Sequence, residues 1–425
     1  MSRGGVGFTL KERLPTKTPL PQAVLGPVQL VLFSHIWGIK VVDEIIGEIW
    51  GNGQESGGRE SDFLFGFGGY SAGRLCKCTC GDGVICLDGP FNKFDLKCDD
   101  TVCDGWDIYD VKKVVPILIV HGILGSSADW VLLGPEKGLA YILADAGYDV
   151  WMGNVRGNTY SRNHTCLDPK FWDFSWHEIG FYDLPAMIDY TLETTNNEKL
   201  FYVGHSQGTT AFYVMTSIKP EYNTKIRAQF SMAPVAYMNH IFSPFVRIFS
   251  FIRIPVRFLP RSELIANLAA VWCSDDSMSQ FICRNALFAI TGFNKKQTND
   301  TMLPIIFGHS PAGSSTKQFL HFGQLVHSGK FQRYDYGYLG NFKKYGSLNP
   351  PSYDLSKSTA PVYLFYSTND WLNSEEDVLK LESSLGNVKG KFLNPDPMWN
   401  HMDHIYGIDA NNLIYNRILN LMQHH

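Results

Sequence analysis

From residue 114 onward, short apolar runs alternate with stretches of helical period. Val114–Val120 (VVPILIV) is continuously apolar and ends at His121-Gly122, as a strand buried on both faces of a parallel sheet does. Gly147–Met152, Leu200–Val203, Gln229–Pro234 and Ala360–Tyr366 repeat the pattern, and a further strand is expected near Lys391–Leu393. Between them, Pro135–Asp145 predicts a helix with proline at its start and an acid in its first turn. Asp183 reads as an N-cap with Pro185 just inside, opening a helix to about Thr191. Further helices are expected over Thr209–Ser217, near Glu375–Leu385 and near Ala410–Met422. This alternation predicts an α/β fold, a parallel sheet with helices on both faces. From about 236 to 345 the rhythm stops, and that stretch reads as a cap inserted beside the active site, leaving residues 111–425 as one domain.

Residues 1–110 carry no such period. Gly51–Gly58 and Phe65–Gly73 are glycine-rich, and six of the nine cysteines lie between Cys76 and Cys103. Cys76, Cys78 and Cys80 occur at every second position, whereas zinc sites usually want two residues between paired cysteines. This end therefore reads as disorder or irregular disulfides, with a metal site the lesser alternative. Val24–Trp37 is apolar but interrupted by Pro27, Gln29 and His35, which favours an ordinary hydrophobic segment over a signal-anchor or membrane span. A formal net charge of −4 leaves no electrostatic footprint for nucleic acid. Asn163-His-Thr and Asn299-Asp-Thr are candidate glycosylation acceptors.

The chemistry is signalled by Gly204-His205-Ser206-Gln207-Gly208, after an expected strand and before an expected helix. A sharp turn there exposes the Ser206 hydroxyl, and the following helix aims its amides and positive dipole end at a developing oxyanion. A serine hydroxyl needs a histidine to take its proton, and that histidine needs a carboxylate to hold its tautomer. Asp370, in the loop after the Ala360–Tyr366 strand, and His401, after Lys391–Leu393, fit the order serine, acid, histidine. His404 satisfies the same order, and Asp403 and Asp396 are possible secondary partners. Asp354 precedes its strand and Asp377 falls within an expected helix, so both read as structural. The amide of Gln207 and that of Ile123, in the loop after the first strand, are the expected oxyanion donors. No metal or cofactor is required.

Seven stretches carry a family resemblance: HGILGSSADW (121–130), GPEKGLAYILADAGYDVW (134–151), GNVRGNTYSRNH (153–164), FWDFSWHEIGFYDLPAMIDY (171–190), YVGHSQGTTAF (202–212), YSTNDWLNSEEDV (366–378) and NHMDHIYGIDA (400–410). On these, the chain resembles the animal acid lipases, from about residue 114 to its end. The resemblance implies an α/β-hydrolase fold with a helical cap and lid. It implies Ser206, Asp370 and His401 as catalytic residues, Ile123 and Gln207 as oxyanion donors, and a cap disulfide between Cys273 and Cys283. It further implies lipid esters such as triacylglycerols or sterol esters as substrates, met at a lipid–water interface, and a secreted or lysosomal protein. Residues 1–110 do not match the family's usual opening strands. The rivals are a silent lipid carrier on the same scaffold and a short-chain carboxylesterase.

Overall fold

The computed structural model describes residues 114–161, 169–249 and 278–425, together with the short strands Lys40–Val42, Lys77–Thr79, Ile85–Leu87 and Phe258–Leu259. Seven strands form the main sheet: β1 (Lys40–Val42), β2 (Pro116–Val120), β3 (Asp149–Gly153), β4 (Leu200–His205), β5 (Ile226–Met232), β6 (Val362–Tyr366) and β7 (Val388–Leu393). Their order is β1-β3-β2-β4-β5-β6-β7, and every neighbouring pair is parallel.

The central strand β2 is apolar and buried at every position because both faces of the sheet are covered. Along β2, Leu118 and Val120 join one buried cluster and Ile117 and Ile119 the other. The first face is covered by α2 (Leu184–Thr195) and α3 (Gln207–Ile218). The second is covered by α1 (Leu139–Asp145) and the C-terminal helix Asn416–Met422. Each buried leucine, isoleucine or valine contributes about 1.5–3 kcal/mol. The two layers hold the C-terminal strand ends, where β4 leads into α3, in fixed register.

Between β5 and β6 the described residues add helices and no strand to the main sheet. These include α4 (Met278–Thr291), α5 (Leu303–His309), α6 (Thr316–Ser328) and α7 (Tyr338–Tyr345). The next helix, α8 (Glu375–Ser384), follows β6 as expected.

Three expectations need correction. No strand is expected from pattern before residue 114, yet Lys40–Val42 pairs with β3 at the sheet edge. The helix expected from Pro135 starts at Leu139, because Lys137 and Gly138 both turn their amides back to the Gly134 carbonyl. Asp183 does not cap α2. Its backbone is already helical, with φ −68° and ψ −51°, inside a wide turn over Ile179–Asp183 that continues from Trp176–Glu178. Pro185 cannot donate a backbone bond, and a wide turn just before it absorbs that loss. The Asp183 carboxylate instead accepts from the Arg156 amide at 3.1 Å and Nε at 2.7 Å. Both side chains are buried.

Val24–Trp37, Cys76, Cys80, Asn163 and Cys273 lie outside the described residues, as do the side chains of Cys78, Cys86 and Cys283, while the antiparallel strands Lys77–Thr79 and Ile85–Leu87 place Cys78 opposite Cys86. Among the described residues, no helix is long and apolar enough to cross a membrane.

Candidate active site

Ser206 sits between the end of β4 and the start of α3 with φ 50° and ψ −117°, a conformation that side chains other than glycine rarely adopt. Four bonds hold it there. Its amide donates to Met232 O at 3.0 Å, and its carbonyl accepts from the Thr209 hydroxyl at 2.6 Å and from the amides of Thr209 and Thr210. Close packing requires glycine at 208, since a Cβ there would stand 2.4 Å from Val120 O. The spacing of the Gly-x-Ser-x-Gly motif is thus a steric condition for bringing this turn against β2.

Asp370 is fully buried in the loop after β6. Its Oδ1 accepts from the amides of Leu372 at 2.9 Å and Asn373 at 3.1 Å, and its Oδ2 accepts from His401 Nδ1 at 2.8 Å. A carboxylate can only accept, so the His401 proton sits on Nδ1 and Nε2 is left as a proton acceptor. His401 is joined to the residue beside the serine. The His205 ring donates from Nε2 to His401 O at 3.0 Å, and the two rings lie 5.0 Å apart. Burial, reinforced by His401, pushes His205 down to about 3, so this neighbour stays neutral and adds no charge beside the site.

The loop after β2 lies against the serine. A Cβ on Gly122 would stand 3.2 Å from Ser206 Cβ and 3.0 Å from His205 Nδ1. The Gly122 carbonyl accepts from Gly125 N at 3.1 Å and from His121 Nδ1 at 2.8 Å. Because a trans peptide points its C=O and N–H oppositely, fixing that carbonyl also fixes the Ile123 amide. His121 is held in turn by the Val155 amide and Asn158 Nδ2, at 3.3 and 3.1 Å from its Nε2. Burial lowers it to about 4, keeping Nε2 an acceptor at neutral pH. The loop is also tied to the histidine side of the site through Asp129, which accepts from Ser126 N at 3.1 Å and the Tyr406 hydroxyl at 2.9 Å. Desolvation raises that carboxyl to about 6.

The competing residues make other contacts. Asp354 caps the short turn Leu355–Lys357. Asp377 accepts from Ser374 and His240. Asp396 bonds the Met398 amide. Asp403 accepts from Asn400 N at 2.8 Å and Asn294 Nδ2 at 2.7 Å, and burial raises it to about 7. His404 is buried edge-on against Trp399. Exposed Asn299 accepts from its own Thr301.

Sequence reasoning missed the brace between the acid and histidine loops. The Thr291 carbonyl, at the end of α4, accepts from both Trp371 N and His401 N at 3.3 Å. Asn400 Nδ2 donates to Gly292 O at 3.0 Å, while Asn369 Nδ2 donates to Phe293 O at 3.0 Å and Met398 O at 2.7 Å. The available signal was an asparagine immediately before each of Asp370 and His401. Gly292 has φ +110°, and a Cβ there would stand 2.1 Å from Asn369 O. Gly292→Ala is expected to lower kcat on a soluble ester about tenfold to a hundredfold with KM little changed, the effect of shifting a reacting group by about 1 Å. An unchanged kcat would mean that the brace does not set the register of the two loops.

Comparison with known proteins gives the same architecture. The α/β-hydrolase fold family model matches residues 115–408. Lipase 1 of Drosophila melanogaster is 45% identical over 72% of this chain and 71% of its own length. The gastric triacylglycerol lipase of Rattus norvegicus is 38% identical over 74% of this chain and 81% of its own. A putative lipase from Sulfolobus solfataricus shares the fold at 13% identity, with a TM-score of 0.50 over 73% of this chain and 86% of its own. The chain therefore belongs to the α/β-hydrolase family, within it to the animal lipases, and is a carboxylic ester hydrolase.

Proposed function

We propose that the protein hydrolyses acyl esters of lipids, triacylglycerols or sterol esters, through Ser206, His401 and Asp370. The observation that carries this reading is the 2.8 Å contact from His401 Nδ1 to Asp370, beside a serine in a strained strand-to-helix turn. His401 Nε2 takes the Ser206 proton as the hydroxyl oxygen attacks the ester carbonyl. The resulting oxyanion is held by the amides of Ile123 and Gln207. Collapse of the tetrahedral intermediate breaks the bond to the alcohol, which leaves with the proton from His401. Water, deprotonated by the same histidine, then attacks the acyl-enzyme and releases the fatty carboxylate and Ser206. Asp370 stays ionised and stabilises the imidazolium.

In this reading residues from about 236 to 345 form the cap over an apolar acyl pocket, and residues 111–425 are the catalytic domain. A secreted or lysosomal setting and a Cys273–Cys283 disulfide, both on family resemblance, and glycans on the Asn-x-Thr acceptors Asn163 and Asn299 complete the proposal.

The test is labelling with a fluorophosphonate that reacts with activated serines. Labelling of the native chain that disappears in Ser206→Ala is expected. Folded protein that takes no label would overturn the reading and favour a silent lipid carrier. A chain-length series of soluble esters separates a lipase, active on long acyl groups, from a short-chain esterase.

A further inference from the structure

Helix α7 turns its apolar side chains away from the protein. Tyr338, Leu339 and Phe342 are 74%, 88% and 62% exposed. At 3.6 residues per turn they share one arc of about 100°. The face turned inward carries Asn341 and the half-buried Tyr345, whose hydroxyl donates to Tyr334 O at 2.9 Å. Asn341 is buried, and its Nδ2 donates to Asp335 Oδ1 at 2.7 Å and to Leu348 O at 3.0 Å. This inverts the usual arrangement, in which the apolar stripe of a helix faces the core. Leu348, just past the helix, adds a further exposed apolar side chain.

Charge singles out the same segment. Lys330, Arg333, Lys343 and Lys344 stand against a single acid, Asp335, within residues 330–345 of a chain whose formal net charge is −4. Lys343 and Lys344 are exposed at the end of α7. The segment is also joined to the candidate active site. Tyr336, two residues before α7, accepts from Lys317 Nζ at 2.9 Å in the first turn of α6. Five residues before Lys317, Ala312 N donates to Leu124 O, in the loop carrying the Ile123 amide, at 2.7 Å.

We infer that α7 docks the enzyme on a lipid surface carrying fatty-acid carboxylates, the anions that its own ester cleavage releases. Aromatic and leucine side chains beside lysines are the composition of a helix lying in a lipid interface. The lysines select for negative surface charge. The released carboxylate has a long acyl tail and stays in the surface, so each turnover makes that surface more attractive to the next enzyme molecule. The inference rests on the proposed lipase reaction.

The experiment is co-flotation of the full chain with phosphatidylcholine vesicles, with and without oleate, at a pH where oleate is ionised. Leu339→Ser/Phe342→Ser is expected to weaken binding to both vesicle types at least about tenfold. Lys343→Glu/Lys344→Glu should abolish the oleate-dependent gain, about fivefold per lysine, and spare the oleate-free binding. Both variants should turn over a soluble short ester at the native rate, which excludes misfolding. Native binding by either variant overturns the inference. So does a native dimer that Leu339→Ser/Phe342→Ser converts to monomer without loss of vesicle binding, because α7 would then pair two copies of the chain. Lack of soluble-ester turnover by the native chain counts against the reaction instead, and the vesicle measurement still decides the docking.

Discussion

Asp370→Asn is expected to lower kcat on a soluble ester by about 10⁴-fold while leaving thermal unfolding nearly unchanged. Asparagine is the same size, and its oxygen can still accept from Leu372 N and Asn373 N, so the loop keeps its shape. What changes is the group 2.8 Å from His401 Nδ1. An amide NH₂ there donates where the carboxylate accepted, which favours the tautomer with its proton on Nε2. That nitrogen can then no longer take the Ser206 proton, and the imidazolium has lost its counter-charge. Steady-state kinetics with active-site titration measures the effect. A loss smaller than about tenfold would mean that Asp370 does not set the histidine's tautomer, and the catalytic assignment would fall.

Arg156→Met is expected to destabilise the fold by about 3–5 kcal/mol at neutral pH, the usual cost of removing one partner from a buried pair. Asp183 is fully buried under α2, and Arg156 also lies over the rings of Phe174 and Tyr182 at 5.8 and 5.7 Å. Burial pushes the Asp183 carboxyl upward, and the Arg156 guanidinium opposes that rise. Without the guanidinium, the folded-state pKa climbs further above the unfolded value. A carboxyl raised in this way contributes most below its unfolded pKa, and that contribution is lost as pH rises through the folded one. The variant's deficit should therefore shrink towards pH 4 and grow towards neutrality. Urea midpoints across that range read it directly, and Arg156→Met/Asp183→Leu should recover much of the loss. A single variant as stable as the native chain at neutral pH would refute the account.

The sheet was legible where burial on both faces leaves uninterrupted apolar runs, as in β2, β4 and β6. The serine turn was legible because Gly208 answers a steric demand that no other residue meets. Order along the chain also pointed to Asp370 and His401, though it left His404 open. Partners contributed from far away in sequence stayed hidden. Nothing local to Asp183 announces that Arg156, 27 residues earlier, will take its carboxylate away from the helix end. Nothing around Thr291 announces that one carbonyl will receive amides from both the acid and the histidine loops. Such bonds form only once the sheet has brought the strand ends together, so no window of local pattern contains them. Residues 40–42 are the extreme case, since three residues of edge strand carry too little period to register.

The brace at Thr291–Phe293 also bears on how this architecture can diversify. Inserts between strands of an α/β-hydrolase sheet look exchangeable, because they leave and rejoin the sheet at two points. Here the insert also contributes the carbonyls that align the two loops bearing Asp370 and His401. A chimera that takes a relative's insert but keeps this chain's later loops inherits a mismatch at Gly292, Asn369 and Asn400 unless all three travel together. The insert and the alignment of the Asp370 and His401 loops are thus inherited as one unit, and lineages that alter the first must re-fit the second.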